Sequence, residues 1–187
     1  MLVVFGSPIS SVQDSLDAFT RHRDRMRGTY RAHYRFDVQS ESPYTAPRLE
    51  RPDCLAGSAP DAVFPWEQIY LSAAMCAGSD YPMFAAHFGI PIDSVDLVIE
   101  GVFDPRGEFD DTSGFHAPAD AHHCYLSLHV RTTIVSTAPR ATLEALHRRV
   151  ISRNMVLGAL RGIPTTSELT TSVPSRVEPF AAAASEG

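Results

Sequence analysis

Two adjacent stretches, PWEQIYLSAAMCAGSDYPMFAAHF (65–88) and IDSVDLVIEGVF (92–103), decide how the chain is built. The first is long and carries almost no charge apart from Glu67 and Asp80, so as a helix little of it can face water. Pro65 suits a helix start, where a missing N–H costs nothing. Gly89 suits the C-terminal cap. Pro82 stands inside the run and forfeits one ladder bond, which predicts a kink or a division a turn or so beyond Cys76. The second stretch changes period. Val95, Leu97 and Ile99 alternate with more polar residues, as in a strand buried on one face.

The flanking sequence extends this pattern. SVQDSLDAFTRHRDRM (11–26) places Val12, Leu16, Phe19 and Met26 at helical spacing, with Ser11 and Asp14 as a capping start and Gly28 as its end. In TYRAHYRFDV (29–38), Tyr30, Ala32, Tyr34 and Phe36 share one face and Arg31, His33 and Arg35 the other. Residues 39–64 are rich in Pro, Ser and Asp and predict a loop or loosely extended segment. After residue 103 come a DPRG turn (104–107) and a strand over 123–136. An amphipathic helix over 138–154 turns Leu143, Leu146, Val150 and Ile151 inward, and a short strand over 167–174 follows. Strands 95–103 and 123–136 succeed one another without a helix between them, which predicts an antiparallel α+β protein.

Composition narrows the function classes. The chain has 187 residues, 44% hydrophobic and 20% charged, with a formal net charge of −6. That balance fits one ordinary globular domain and disfavours a broad nucleic-acid or anionic-membrane footprint. No apolar run approaches the ~20 residues needed to span a bilayer, and MLVVFGSPIS makes no convincing signal peptide. Three cysteines, Cys54, Cys76 and Cys124, are odd in number and widely spaced. They argue for a reducing, cytoplasmic setting rather than a disulfide scaffold. No CxxC, HExxH or P-loop motif is present, and no cofactor is expected.

The histidines near Cys124 form a second constellation. DAHHC (120–124) gathers Asp120, His122, His123 and Cys124, with His116 and His129 near in sequence. Metal binding needs three or four convergent ligands. On a strand, His122 and Cys124 share a face while His123 points away. Solvated histidines at a strand edge are the simpler reading, and a general base lining a pocket near Cys76 the sharper one.

Three stretches together resemble the OsmC/Ohr family of thiol-dependent organic hydroperoxide reductases: FPWEQIYLSAAMCAG (64–78), HFGIPIDSVDLVIEGVFDPRG (87–107) and STAPRATLEALHRRVISRNMVLGALRGIP (136–164). The resemblance covers residues 60–170. Residues 1–60 form a divergent N-terminal part of the single domain, and residues 175–187 a frayed or disordered tail. The resemblance implies an OsmC-like α+β fold with antiparallel sheets packed on long central helices. It also implies an intertwined homodimer with its active sites at the subunit interface.

The resemblance also assigns site residues. Cys76 takes the place of the first, peroxide-reactive cysteine. The second, resolving cysteine falls on Asn154, so the resemblance implies a divergent member that lacks it. The family's glutamate falls on Trp66 when read without a gap, with Glu67 one residue later; Arg31 and Arg35 are the arginine candidates. Cys124 or an external thiol would then resolve the oxidised thiol. Bland alternatives stand beside each role. A free cysteine often only fills core space, and Glu67 is also a first-turn carboxylate favoured by the helix dipole. The leading expectation is a one-cysteine reductase of small apolar peroxides. Its rivals are a different Cys76-dependent enzyme on the same fold and a non-catalytic small-molecule binder at the dimer interface.

Overall fold

A computed structural model of the chain describes residues 2–174 apart from 5, 23, 24, 26, 56, 57, 60–62, 108–118 and 120–123. The tail expected beyond residue 174 therefore lies outside the described residues. A small hairpin of β1 (Leu2–Val4) and β2 (Ser7–Ile9) opens the chain, with Gly6 at φ 80 supplying the left-handed turn residue. Helix α1 (Val12–His22) follows. Its start is the predicted reciprocal cap: Asp14 N donates to Ser11 Oγ at 3.1 Å, and Ser11 N donates to Asp14 Oδ2 at 2.9 Å. Hydrogen bonds from the Ser10 hydroxyl and N–H, and then from Ser11, hold the Asp14 carboxyl below the usual carboxylate range.

The main sheet contains β3 (Gly28–Asp37), β4 (Arg48–Glu50), β5 (Ser94–Asp104), β6 (Cys124–Val135) and β7 (Thr165–Ser172). Its spatial order is β4-β3-β5-β6-β7. The β3–β5 and β5–β6 pairs are antiparallel, in line with the predicted antiparallel α+β arrangement; β4, inside the 39–64 stretch read as a loop, also pairs antiparallel with β3. β7 does not: it pairs with β6 in parallel. The chain leaves β6 through helix α3 (Arg140–Arg153) and the short α4 (Met155–Ala159). A crossover of that length brings the chain back to the same end of the sheet, which a parallel neighbour requires.

Helix α2 (Pro65–Phe88) lies on the sheet face that carries Tyr30, Tyr34, Leu97, Ile99, Leu128 and Val130. It is one uninterrupted element through Pro82, so of the two outcomes predicted there, a kink or a division, the division does not occur. Pro82 is buried, so packing holds the turn that has lost its ladder bond. Two glycines let helix and sheet approach closely. A side chain at Gly78 would overlap the Tyr34 ring, and one at Gly101 would overlap Tyr70. Gly89, at φ 66, ends α2 as predicted, and Ile90 N bonds back to Ala85 O at 2.9 Å.

Asn154 breaks the late helix. Its backbone is extended at φ −62, ψ 129, and its Oδ1 accepts from Leu157 N at 2.9 Å, so it caps α4 while ending α3. The predicted helix over 138–154 ends at this point; the short α4 beyond it was not predicted. On the side of α2 away from the sheet, Met75 is 53% and Met83 56% exposed, and Phe88 near its end is 47% exposed. Among the described residues no helix is long and apolar enough to cross a membrane.

Candidate active site

Cys76 sits mid-way along α2, half-buried, one turn before Asp80 on the same helix face. Asn154 reaches it from the α3–α4 joint. The Asn154 Nδ2 group donates to Cys76 Sγ at 3.2 Å and to Asp80 Oδ2 at 2.8 Å. Asn154 is buried, at 2% exposure. Its Oδ1 accepts from Leu157 N as well, so the side chain is held by three hydrogen bonds that link α2 to the start of α4. The Cys76 carbonyl accepts from Ser79 Oγ at 3.0 Å. The two positions that the family resemblance pairs as cysteines thus face each other, but a neutral amide stands where the second thiol would be. Asn154 cannot close a disulfide.

The acidic residue at the helix start has a different partner from those predicted. Glu67 is fully buried and pairs with Arg51: Nε to Oε1 at 2.7 Å and Nη2 to Oε2 at 3.3 Å. Glu67 Oε2 also accepts from Phe64 N at 2.8 Å, closing the first turn of α2. Arg51 anchors in turn on Ala59 O at 3.3 Å. Arg31 and Arg35 lie elsewhere. Strand alternation points them to the outer face of the sheet, away from α2. There Arg31 pairs with Glu100 and Glu50, and Arg35 with Asp37. Within one chain neither of them is brought to Cys76 or Glu67.

Arg51 was hidden by the loop in which it stands. Its signal was indirect. A carboxylate at a buried helix start demands a cation, and residues 28–66 contain just four arginines, at 31, 35, 48 and 51.

Trp66 lies beside this pair. It stacks on Phe64 at 4.3 Å and on Phe103 at 5.4 Å between ring centroids. Tyr125 donates to the Trp66 carbonyl at 2.7 Å and packs on Phe103 and Tyr70. His122 and the Cys124 side chain lie outside the described residues, as do Asp120, His116 and His123. His129 is described, and its ring contacts Thr166 and Glu168 on the outer sheet face. Among the described residues no group of three or more His, Cys, Asp or Glu could hold a metal ion.

The sequence did not single out His147. It is buried on α3, 2.6 Å from Tyr81 OH through Nδ1 and 3.2 Å from Ser167 Oγ through Nε2; Tyr81 OH also lies 3.0 Å from Thr132 Oγ1. Burial holds this imidazole below its ordinary pKa, and Arg148 adds to the shift. The network ties α2, α3, β6 and β7 together behind the Cys76 face.

No protein-family model matches the chain, and no curated protein does. Solved structures do. An OsmC-like hydroperoxide resistance protein from Jannaschia sp. CCS1 superimposes with a TM-score of 0.51 at 12% identity, over 73% of this chain and 88% of that one. The fold is OsmC-like. An OsmC-like protein from Mycoplasma pneumoniae matches over 81% of this chain and 99% of its own, at 12% identity and a TM-score of 0.46. An organic hydroperoxide resistance protein OsmC from Legionella pneumophila matches over 68% and 90%, at 18% identity and a TM-score of 0.42.

Proposed function

We propose that this OsmC-fold chain is a one-cysteine reductase of organic hydroperoxides, working as a homodimer with Cys76 as its redox-active thiol. The observation that carries the reading is the half-buried Cys76 sulfur meeting the Asn154 amide at 3.2 Å. A thiol with a fixed donor beside it is built for charge to develop on sulfur or on an oxygen bound to it.

The chemistry balances without a second cysteine. The sulfur attacks one oxygen of the peroxide, the O–O bond breaks, and the thiol proton passes to the departing alkoxide. This leaves an alcohol and Cys76 as sulfenic acid. An external thiol then displaces water to form a mixed disulfide, and a second external thiol restores Cys76.

The dimer is supported by geometry. Glu67 precedes Cys76 by nine residues, about 13 Å along the helix axis. The Glu67–Arg51 pair of one chain is therefore out of reach of its own thiol. Met75 and Met83 mark the uncovered side of α2, where a second copy would bury apolar surface. Two α2 helices packed there about a two-fold axis would bring one chain's ion pair toward the other's thiol.

A second reading, a different Cys76-dependent reaction on the same fold, is favoured by one observation. The donor at the sulfur is an amide whose other hydrogen goes to a carboxylate, Asp80, rather than a cation.

The deciding experiment follows loss of cumene hydroperoxide in the presence of a small dithiol. The parent protein is expected to consume peroxide catalytically and Cys76→Ser to be inactive, with Cys54→Ser and Cys124→Ser retaining turnover. Equal rates for parent and Cys76→Ser would end the peroxidase reading. A Cys76 that alkylates readily in a protein that ignores peroxide would favour the second.

A further inference from the structure

We propose that Asp80 is the positioning residue of the Cys76 thiol: through Asn154 it holds an amide N–H on the sulfur. The proposal rests on Cys76 being the reacting group and adds a residue that the family resemblance did not point to.

The Asn154 amide has two hydrogens and a carbonyl oxygen to place. One hydrogen goes to Cys76 Sγ, the other to Asp80 Oδ2, and Oδ1 takes the Leu157 N–H. Turning the amide over would set Oδ1 against the Asp80 carboxylate and the NH2 group against the Leu157 N–H. Both contacts would be repulsive, so a single orientation survives. Of the two anchors, that to Asp80 is charge-assisted, the stronger kind. It is also the one contributed by α2 itself. Cys76 and Asp80 stand four residues apart on one helix, so the distance between sulfur and anchor is set by helix geometry. Small movements of the α3–α4 joint therefore do not carry the donor off the sulfur.

A carboxylate so near a thiol does not help charge develop there. It is tolerated because its lone pair is directed to the amide, which in turn presents a hydrogen to sulfur. The arrangement makes the acceptor function of residue 80 separable from its charge. An asparagine there keeps an acceptor for Asn154 and loses the charge. An alanine loses both.

The test measures alkylation of folded protein by iodoacetamide at neutral pH, in a Cys54→Ser and Cys124→Ser background, by intact mass. In the reaction the sulfur–carbon bond forms, iodide leaves and the thiol proton goes to solvent. Asp80→Asn is expected to react about tenfold faster than Asp80→Ala, the worth of one hydrogen bond to a charged group. A merely structural role predicts the opposite order, because loosening in Asp80→Ala would expose the thiol and speed its reaction. Rates within twofold of each other, or that reversed order, overturn the proposal and leave the thiol reading intact. A parent protein whose Cys76 does not react under these conditions ends the thiol reading and takes this proposal with it.

Discussion

Replacing Glu67 by glutamine keeps the shape of a fully buried side chain and removes its charge. The guanidinium of Arg51, whose side chain is 10% exposed, then faces an amide instead of a carboxylate. Removing one partner of a buried ion pair costs about 3–5 kcal/mol. A first-turn carboxylate adds roughly 0.3–1 kcal/mol by meeting the helix dipole. The new amide oxygen still accepts from Phe64 N–H, which offsets part of the loss, so about 3–4 kcal/mol is expected. For a chain of this size each kcal/mol moves the melting temperature by ~2–4 °C, which makes the total roughly 10 °C. Trp66 is the single tryptophan and stacks between Phe64 and Phe103 beside the pair. Its fluorescence in urea titrations reports the loss directly. An Arg51→Met, Glu67→Leu double variant removes both charges and should recover most of the stability. A loss under about 1 kcal/mol for Glu67→Gln, or a double variant no better than the single, would show that solvent screens the pair.

Asn154→Cys should form a disulfide with Cys76 after mild peroxide treatment, since Asn154 Nδ2 already lies 3.2 Å from the sulfur; peptide mapping without a cross-link would show that the Cβ vectors do not satisfy disulfide geometry. His147 has a folded-state pKa below its unfolded value near 6.5. The unfolded chain therefore binds the extra proton first, and stability should fall as pH drops below about 6.5, flattening below the folded value. Urea midpoints between pH 7.5 and 5.5 should show that slope, and His147→Gln should reduce it. Light scattering should give about twice the 20.5 kDa chain mass, and Met75→Asp with Met83→Asp should return it to one; a parent monomer at micromolar concentration would remove the interface site.

The sequence made the sheet and its long helix legible because these elements are long and strongly periodic. Pro65 and Gly89 bracketed α2 correctly, and alternation in 29–38 and 92–103 located β3 and β5. The parallel placement of β7 was not legible, because alternation says which residues share a face and nothing about strand direction. The three-residue strands β1, β2 and β4 are too short to carry a period. α4 was missed because five residues are too few to show a helical period. Asn154, a favoured N-cap residue type, was the available sign of the break. At the site, the facing of positions 76 and 154 came from the family resemblance. Arg51 and His147 needed tertiary structure, since both are defined by partners distant in sequence. Pro82 shows the converse: a local rule against proline in helices yields when packing surrounds the ring.

The parallel docking of β7 on β6 has a consequence for the chain while it is being made. The outer edge of β6 is complete at Val135, but its partner ends at Ser172. Roughly 37 residues separate them, which at ~5–20 residues per second is about two to seven seconds of synthesis. Throughout that interval the edge displays unpaired N–H and C=O groups from a strand whose inner face carries Leu128, Val130 and Ile134. Such an edge is a template for a stranger's strand. α3 is translated first and can shield the inner face, but only β7 can close the edge. Yield in the cell should therefore be more sensitive to slow translation of codons 136–172 than to equal delays elsewhere in the message.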